Sequence, residues 1–186
     1  MEFHGHNDTG CAIANSYSAI MAGVKFIDTT ILGIGERNGI TPLGGFLARM
    51  FVDNPYYVMD KYKLSNIKKL EDYISKINNI EIPFNNCITG YSAFTHKAGI
   101  HAKAVLNKPE TYEILPPEIF GMNRFISVAN KLTGWNAVKN RSIQLGLNIQ
   151  DEEIKKITTK IKQLAEIKDG FSLSDVDNLL SMHNVR

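Results

Sequence analysis

Glu2-Phe3-His4-Gly5-His6-Asn7-Asp8-Thr9-Gly10-Cys11-Ala12-Ile13 and, further on, Phe26-Ile27-Asp28-Thr29-Thr30-Ile31 with Gly33-Ile34-Gly35-Glu36-Arg37-Asn38-Gly39 are the stretches that decide the fold. Glu2 to His6 reads as the end of a strand. Asp8 or Thr9 offers a side-chain oxygen to cap a helix in which Ala12, Ile13, Ser16, Tyr17 and Ile20 recur at helical spacing, and Gly23 suits its left-handed stop. Phe26 to Ile31 is rich in β-formers and reads as a second strand, ending in a glycine-punctuated loop. Thr41 as N-cap and Pro42 at the first helical position open another helix through Leu43, Phe46, Leu47 and Met50. Two successive βα units with parallel strands are the expected result.

Beyond Pro55 the pattern changes. Ser65 can cap a helix whose stripe is Ile67, Leu70, Tyr73, Ile74 and Ile77, and no further strand-helix alternation is expected. Ile80 to Pro83 reads as extended, Ser92 to Leu106 as helical despite Gly99, and Glu110 to Gly121 as irregular because of its prolines and glycine. Trp135 to Leu145, Asp151 to Ile167 and Ser174 to Met182 read as three more helices. The stripe Ile154, Ile157, Ile161 and Leu164 is the clearest, and Ser172 to Asp175 forms a capping-box signature. The expected division is 1–55 as the βα portion, 56–109 as a linker and helical subdomain, and 110–186 as a small mainly helical subdomain.

A chain of 186 residues with 44% hydrophobic and 22% charged side chains has the composition of one soluble globular domain or two small ones. Its net charge of +2 comes from 21 basic and 19 acidic residues scattered along the chain, which argues against nucleic acid or an anionic membrane as a partner. No apolar run approaches the roughly 20 residues that span a bilayer, and the polar start has no signal-peptide core. Cys11 falls within an apolar helical pattern, so a buried thiol and a reducing intracellular compartment are expected.

His4 and His6 stand two apart on a strand, so both imidazoles point to one face and can share a divalent ion. Taken alone, a His-x-His pair is equally at home as two solvated or hydrogen-bonded histidines. Gly33-x-Gly35 does not complete a dinucleotide fingerprint. Glu36 and Arg37 lie in the loop after the second strand, where an ion pair, mutual or with a partner, ranks at least as high as catalysis.

The wording of the whole segment adds context. His4 to Asn15 resembles the seventh-strand motif of the homocitrate and isopropylmalate synthase family, and Gly33 to Gly45 resembles its eighth-strand loop in the form typical of homocitrate synthases. The likeness continues through Phe94-Thr95-His96-Lys97-Ala98-Gly99-Ile100-His101-Ala102-Lys103-Ala104, Thr111-Tyr112-Glu113-Ile114-Leu115 and Leu132-Thr133-Gly134-Trp135-Asn136-Ala137, and so covers nearly the entire chain.

This resemblance implies an α/β fold: the last two βα units of a TIM (β/α)8 barrel, followed by mainly helical C-terminal subdomains. It implies an acyltransferase that condenses acetyl-CoA with 2-oxoglutarate to homocitrate and CoA at the entry to α-aminoadipate lysine synthesis. His4 and His6 would be ligands of a divalent metal, Zn2+ foremost with Mg2+ or Mn2+ as alternatives. His101 would be the base toward acetyl-CoA and Tyr112 its neighbour in that role. Tyr112 also has a bland reading, as a half-buried tyrosine packing an irregular loop. His96 is read as a surface or supporting residue and His183 as structural or solvated. Glu2 would contact the amine of L-lysine as a feedback inhibitor, or be no more than a carboxylate at a strand end. A homodimer in the full-length enzyme, with the C-terminal region crossing to the partner, is also implied.

A closed barrel needs eight βα units, and this chain is expected to supply two, without the acidic third metal ligand or the groups that read the oxo acid. The expectation is therefore an incomplete catalytic domain, inactive by itself. The alternatives are an isopropylmalate or citramalate synthase-like acyltransferase, and a non-catalytic or complementing subunit of a split enzyme.

Overall fold

The computed structural model describes residues 1–97 and 104–183. The chain forms two compact units, Met1–Phe94 with Ile114–Asn123, and Thr95–Glu113 with Arg124–Arg186.

In the first unit, β1 (Glu2–Phe3) and β2 (Phe26–Ile27) pair in parallel with Glu2 opposite Phe26 and Phe3 opposite Ile27. The helix α1 (Ala12–Met21) connects them, so the first βα unit forms as the periodicity requires. Both strands are shorter than expected. His6 leaves the ladder for an antiparallel bridge to Ile40, and Ile31–Gly33 turns as a 3-10 segment.

The caps also differ from the sequence expectation. Asp8 is engaged by Arg37, and Asn7 Oδ1 accepts the Ala12 N–H at 3.1 Å in place of Asp8 or Thr9. Cys11 occupies the N-cap position and is exposed, because the apolar stripe of α1 begins only at Ala12. Gly23 does take the left-handed conformation after α1. The helix α2 (Leu43–Asp53) starts one residue later than expected, with Pro42 at its N-cap. Thr41 is fully buried, and its hydroxyl meets Ser16 Oγ at 2.7 Å, tying the N-terminus of α2 to the inner face of α1.

A seven-residue helix α3 (Pro55–Lys61) follows, capped by Asn54, whose Oδ1 accepts from Tyr57 N at 3.1 Å. A 3-10 turn at Leu64–Asn66 leads into α4 (Ile67–Asn78). The core of this unit joins Leu47, Ala48 and Phe51 of α2 to Val58, Leu64, Ile67, Ile88, Phe94 and Phe120.

Glu71 of α4 is buried in this unit, accepting hydrogen bonds from Asn86 Nδ2 at 3.1 Å and from the Thr89 hydroxyl. A side chain at Gly44 would come within 2.6 Å of Glu71 Oε1, so glycine there lets the first turn of α2 close over the carboxyl. Burial pushes the Glu71 carboxyl above its usual range, and the Thr89 and Asn86 hydrogen bonds only partly offset this. A carboxyl raised on folding ionises first in the unfolded chain, so its cost is absent at low pH and grows as pH rises through the raised value. Glu71 is expected to contribute a decline in melting temperature from about pH 4 upward, against the opposite contributions of Asp8 and Asp28. Glu71→Gln is expected to flatten that decline in calorimetric scans at stepped pH, and an unchanged slope would contradict the assignment.

The second unit contains β3 (Thr95–His96) and β4 (Phe125–Ile126), paired in parallel with His96 opposite Ile126. No strand was expected here, and Ser92 to His96 is not helical as its small residues suggested. Three helices follow: α5 (Trp135–Gln144), α6 (Asp151–Ile167) and α7 (Leu173–Met182). These match the periodicity closely. Ile154, Ile157 and Ile161 are buried against Val138, Val176 and Leu180, and the Ser172–Asp175 capping box forms as read.

Candidate metal centre and its neighbours

The parallel register of β1 and β2 sets the residues that follow each strand side by side, with Asp28 N donating to Phe3 O at 3.0 Å. His4 Nδ1 lies 2.9 Å from Asp28 Oδ2. Asp28 is held below the usual carboxylate range by His4 first and by a hydrogen bond with Glu2 second, so Glu2, Asp28 and His4 form one polar group at the strand ends. A carboxylate on Nδ1 keeps the proton there and leaves the Nε2 lone pair outward.

His4 Nε2 faces His6 Nε2 at 3.2 Å. Two imidazole nitrogens on one tetrahedral zinc, each about 2.0–2.1 Å from it, stand about 3.3 Å apart. The separation in this chain is therefore already that of a chelating pair. His6 Nδ1 is buried with no hydrogen-bond partner among the described residues, and the ring's one hydrogen-bond contact there is the one from Nε2 to His4. The pair fits two ligands of a divalent ion. Among the described residues no group of three or more His, Cys, Asp or Glu side chains is placed to hold a metal.

The loop after β2 holds this segment in place. Asn7 N donates to Gly39 O at 2.9 Å, Asn38 Nδ2 donates to Asn7 O at 2.8 Å, and Arg37 forks onto Asp8 at 2.8 and 3.0 Å. The Arg37 guanidinium holds the Asp8 carboxyl below its usual range. Arg37 thus has the partner ion pair that sequence reasoning ranked beside catalysis. Gly39 has φ +78°, and a Cβ there would collide with the Gly33 carbonyl oxygen, so only glycine closes this loop.

In the second unit, Tyr112 caps the 3-10 turn Pro109–Thr111 and is about half exposed, at 46%. Its neighbour Glu113 is almost fully buried, with a side chain 6% exposed. Glu113 accepts from Arg124 Nε at 2.8 Å, from a second Arg124 N–H, and lies 2.9 Å from His96 Nε2. Burial acts to raise the Glu113 carboxyl, but the hydrogen bonds from Arg124 and His96 outweigh it and hold it below the usual range. His96 is accordingly a partly buried supporting residue and not a surface one. His183 pairs with Glu153 at 2.9 Å. His101 lies outside the described residues.

The structure therefore groups Glu2, His4 and His6 in the first unit and places Tyr112 in the second. Sequence reasoning missed Asp28, although its position directly after a strand that would pair with the histidine strand was a usable signal. It also missed Glu113 and Arg124, whose 11-residue separation carries no periodic signal.

The comparisons with known proteins agree with this architecture. Residues 1–74 match the family described as HMGL-like, and residues 88–169 match the homocitrate synthase post-HMGL domain-like family. A mitochondrial homocitrate synthase of Saccharomyces cerevisiae is 57% identical over 97% of this chain and 41% of its own length. A homocitrate synthase of Sulfurisphaera tokodaii is 41% identical over 90% of this chain and 35% of its own length. A 2-isopropylmalate synthase of a Geobacillus strain is 36% identical over 95% of this chain and 35% of its own length.

Residues 1–74, within the first unit, are thus an α/β portion of HMGL-like type, with no closed barrel among the described residues. The chain belongs to the homocitrate/isopropylmalate synthase family. It spans about two fifths of the length of the yeast relatives it matches. No helix among the described residues is long and apolar enough to cross a membrane.

Proposed function

We propose that this chain carries part of the machinery of a homocitrate synthase, an acyltransferase that joins acetyl-CoA and 2-oxoglutarate at the first step of α-aminoadipate lysine synthesis. The observation that carries the reading is the His4–His6 pair, its Nε2 atoms 3.2 Å apart and His4 fixed by Asp28. The greater identity to homocitrate synthases than to the 2-isopropylmalate synthase favours 2-oxoglutarate as the oxo acid.

Lewis-acid polarisation of the keto carbonyl is the chemistry that a divalent ion, Zn2+ or else Mg2+ or Mn2+, supplies when held by His4 and His6. Asp28 keeps the Nδ1 proton of His4 and so presents Nε2 as a donor. His101 takes a methyl proton from acetyl-CoA, and the resulting carbanion forms the new bond to the keto carbon while the carbonyl π pair moves to the keto oxygen, which takes up a proton to become the hydroxyl. Tyr112 steadies the enolate oxygen by donating its phenol proton as a hydrogen bond. Water then cleaves the thioester, releasing homocitrate and CoA.

Glu2 and Asp28 together present two carboxyls, which suits the ammonium of L-lysine as an inhibitor. The assembled enzyme is read as an intracellular homodimer with the fold of a TIM barrel followed by helical subdomains.

A second reading is a complementing or regulatory subunit of a split enzyme. Co-expression with the HMGL-like portion of a family member, followed by an assay of homocitrate formation, separates the two. Turnover only in the mixture supports the complementing half of a split enzyme, and none at all favours a chain without catalysis.

Asp28→Asn tests the role given to that carboxylate. Zinc affinity measured calorimetrically on the assembled protein is expected to fall about 10- to 100-fold, the usual cost of losing a carboxylate behind a metal-bound histidine. Unchanged affinity would remove Asp28 from the site.

A further inference from the structure

Three segments distant in sequence converge on Glu113. β3 brings His96, the 3-10 turn at Pro109–Thr111 brings Glu113 itself, and the start of β4 brings Arg124. The β3–β4 pairing, extended by Ser127 N donating to His96 O at 2.9 Å, holds two of these segments in fixed register. The third is held where Glu113 is gripped and where the Tyr112 and Glu113 N–H groups each donate to Pro109 O at 3.0 Å.

The grip is strong for its setting. Arg124 uses two parallel N–H donors on the two carboxylate oxygens, the geometry that fixes orientation as well as distance. His96 adds a third contact on Oε1. The Glu113 side chain is nearly excluded from water, and those of His96 and Arg124 are 15% and 23% exposed, so solvent screens the cluster weakly. A carboxylate so placed cannot swing out without breaking the Arg124 fork and the His96 contact together. Its neighbour Tyr112 is far more exposed, and its phenol is placed by a backbone that Glu113 fixes one residue away.

We propose that Glu113, clamped by Arg124 and His96, is the positioning residue for Tyr112. The inference rests on the proposed role of Tyr112 at the thioester, and it concerns how that phenol is held rather than what it does. Glu113 touches neither substrate nor metal in this reading. Its effect on turnover passes through Tyr112.

The test has two arms. In the first, hydrogen exchange and tyrosine ring resonances are followed by NMR on the chain itself. Glu113→Gln is expected to speed exchange of the Glu113 amide about 10- to 100-fold and to shift the Tyr112 ring signals, with amides of α6 unaffected. Arg124→Lys, which keeps the charge and loses the fork, is expected to lie between Glu113→Gln and the parent chain. Unchanged exchange at Glu113 with unshifted Tyr112 signals overturns the proposal, and so does a loss of protection that extends through α6.

The second arm uses the co-expressed, active assembly. There Glu113→Gln is expected to lower kcat about tenfold with the KM for 2-oxoglutarate unchanged, and to add nothing further to Tyr112→Phe. Additive losses overturn the proposal. Full turnover by Tyr112→Phe sinks the role assigned to the tyrosine instead, and the exchange measurements then decide the positioning by themselves.

Discussion

His4→Ala combined with His6→Ala is expected to strip the assembled enzyme of its divalent ion and to lower homocitrate formation about a thousandfold or more, since Lewis-acid stabilisation of a developing charge is worth several kcal/mol. The expectation follows from geometry. The two Nε2 atoms are 3.2 Å apart, and His4 is oriented from behind by Asp28 at 2.9 Å. The pair thus has the separation of a chelating one, and removing either ring takes away half of what this chain supplies to the ion. Each single substitution should consequently approach the double in its effect. Metal content by atomic absorption, read beside turnover, is the check. An assembly that kept both its ion and its rate would show that the pair is only a hydrogen-bonded ornament of the strand end.

Phe120→Ala is expected to be the most damaging change to the first unit, costing about 3–5 kcal/mol. Phe120 is fully buried and stands edge-on to Phe51, ring centroids 5.6 Å apart, at the meeting point of α2, α3 and the 3-10 turn before α4. It reaches that core from a segment of only ten residues, Ile114–Asn123, so its ring is a principal anchor of that segment. Its removal leaves a cavity and frees the strap. In a domain of about a hundred residues 1 kcal/mol is worth about 4–8 °C, so the thermal midpoint should fall by more than about 12 °C. A fall of only 2–3 °C, on the order of 0.5 kcal/mol, would mean the site collapses to fill the space and that Phe120 is not the anchor described.

Where a long stretch buries one stripe, the sequence announced the structure. Asp151 to Ile167 was readable to the residue because seventeen positions repeat one period and three acidic side chains sit in its first turn. The same holds for the Ser172 capping box. Short elements were not legible in that way. β3 and β4 have two residues each, too few to show alternation, and they exist because parallel pairing is completed from thirty residues away. α3 was missed because seven residues make no stripe, although Asn54-Pro55 carries both a cap and a first-turn proline.

The site divides along the same line. His4 and His6 were legible because strand geometry relates residues two apart, whereas Asp28 joins them only through the register of β1 with β2. Thr41 was read as a cap because its hydroxyl suits one, and that hydroxyl is instead spent on Ser16, a contact 25 residues distant. Cys11 was read as interior from its neighbours' hydropathy, and the helix begins one residue too late to bury it.

The chain passes from the first unit to the second after Phe94, returns at Ile114 and leaves again at Arg124. Neither unit is a continuous stretch, so no single cut separates them without taking a piece from one. During synthesis on the ribosome the first hydrophobic core cannot close until Phe120 has emerged, by which time β3 is already outside and still waiting for β4. The order of emergence thus makes the nascent chain carry an unfinished first core and an unpaired β3 at once. A break in the gene between residues 94 and 120 would part Phe120 from the rest of the first core, while the second core, drawn from residues after Arg124, would keep all its members.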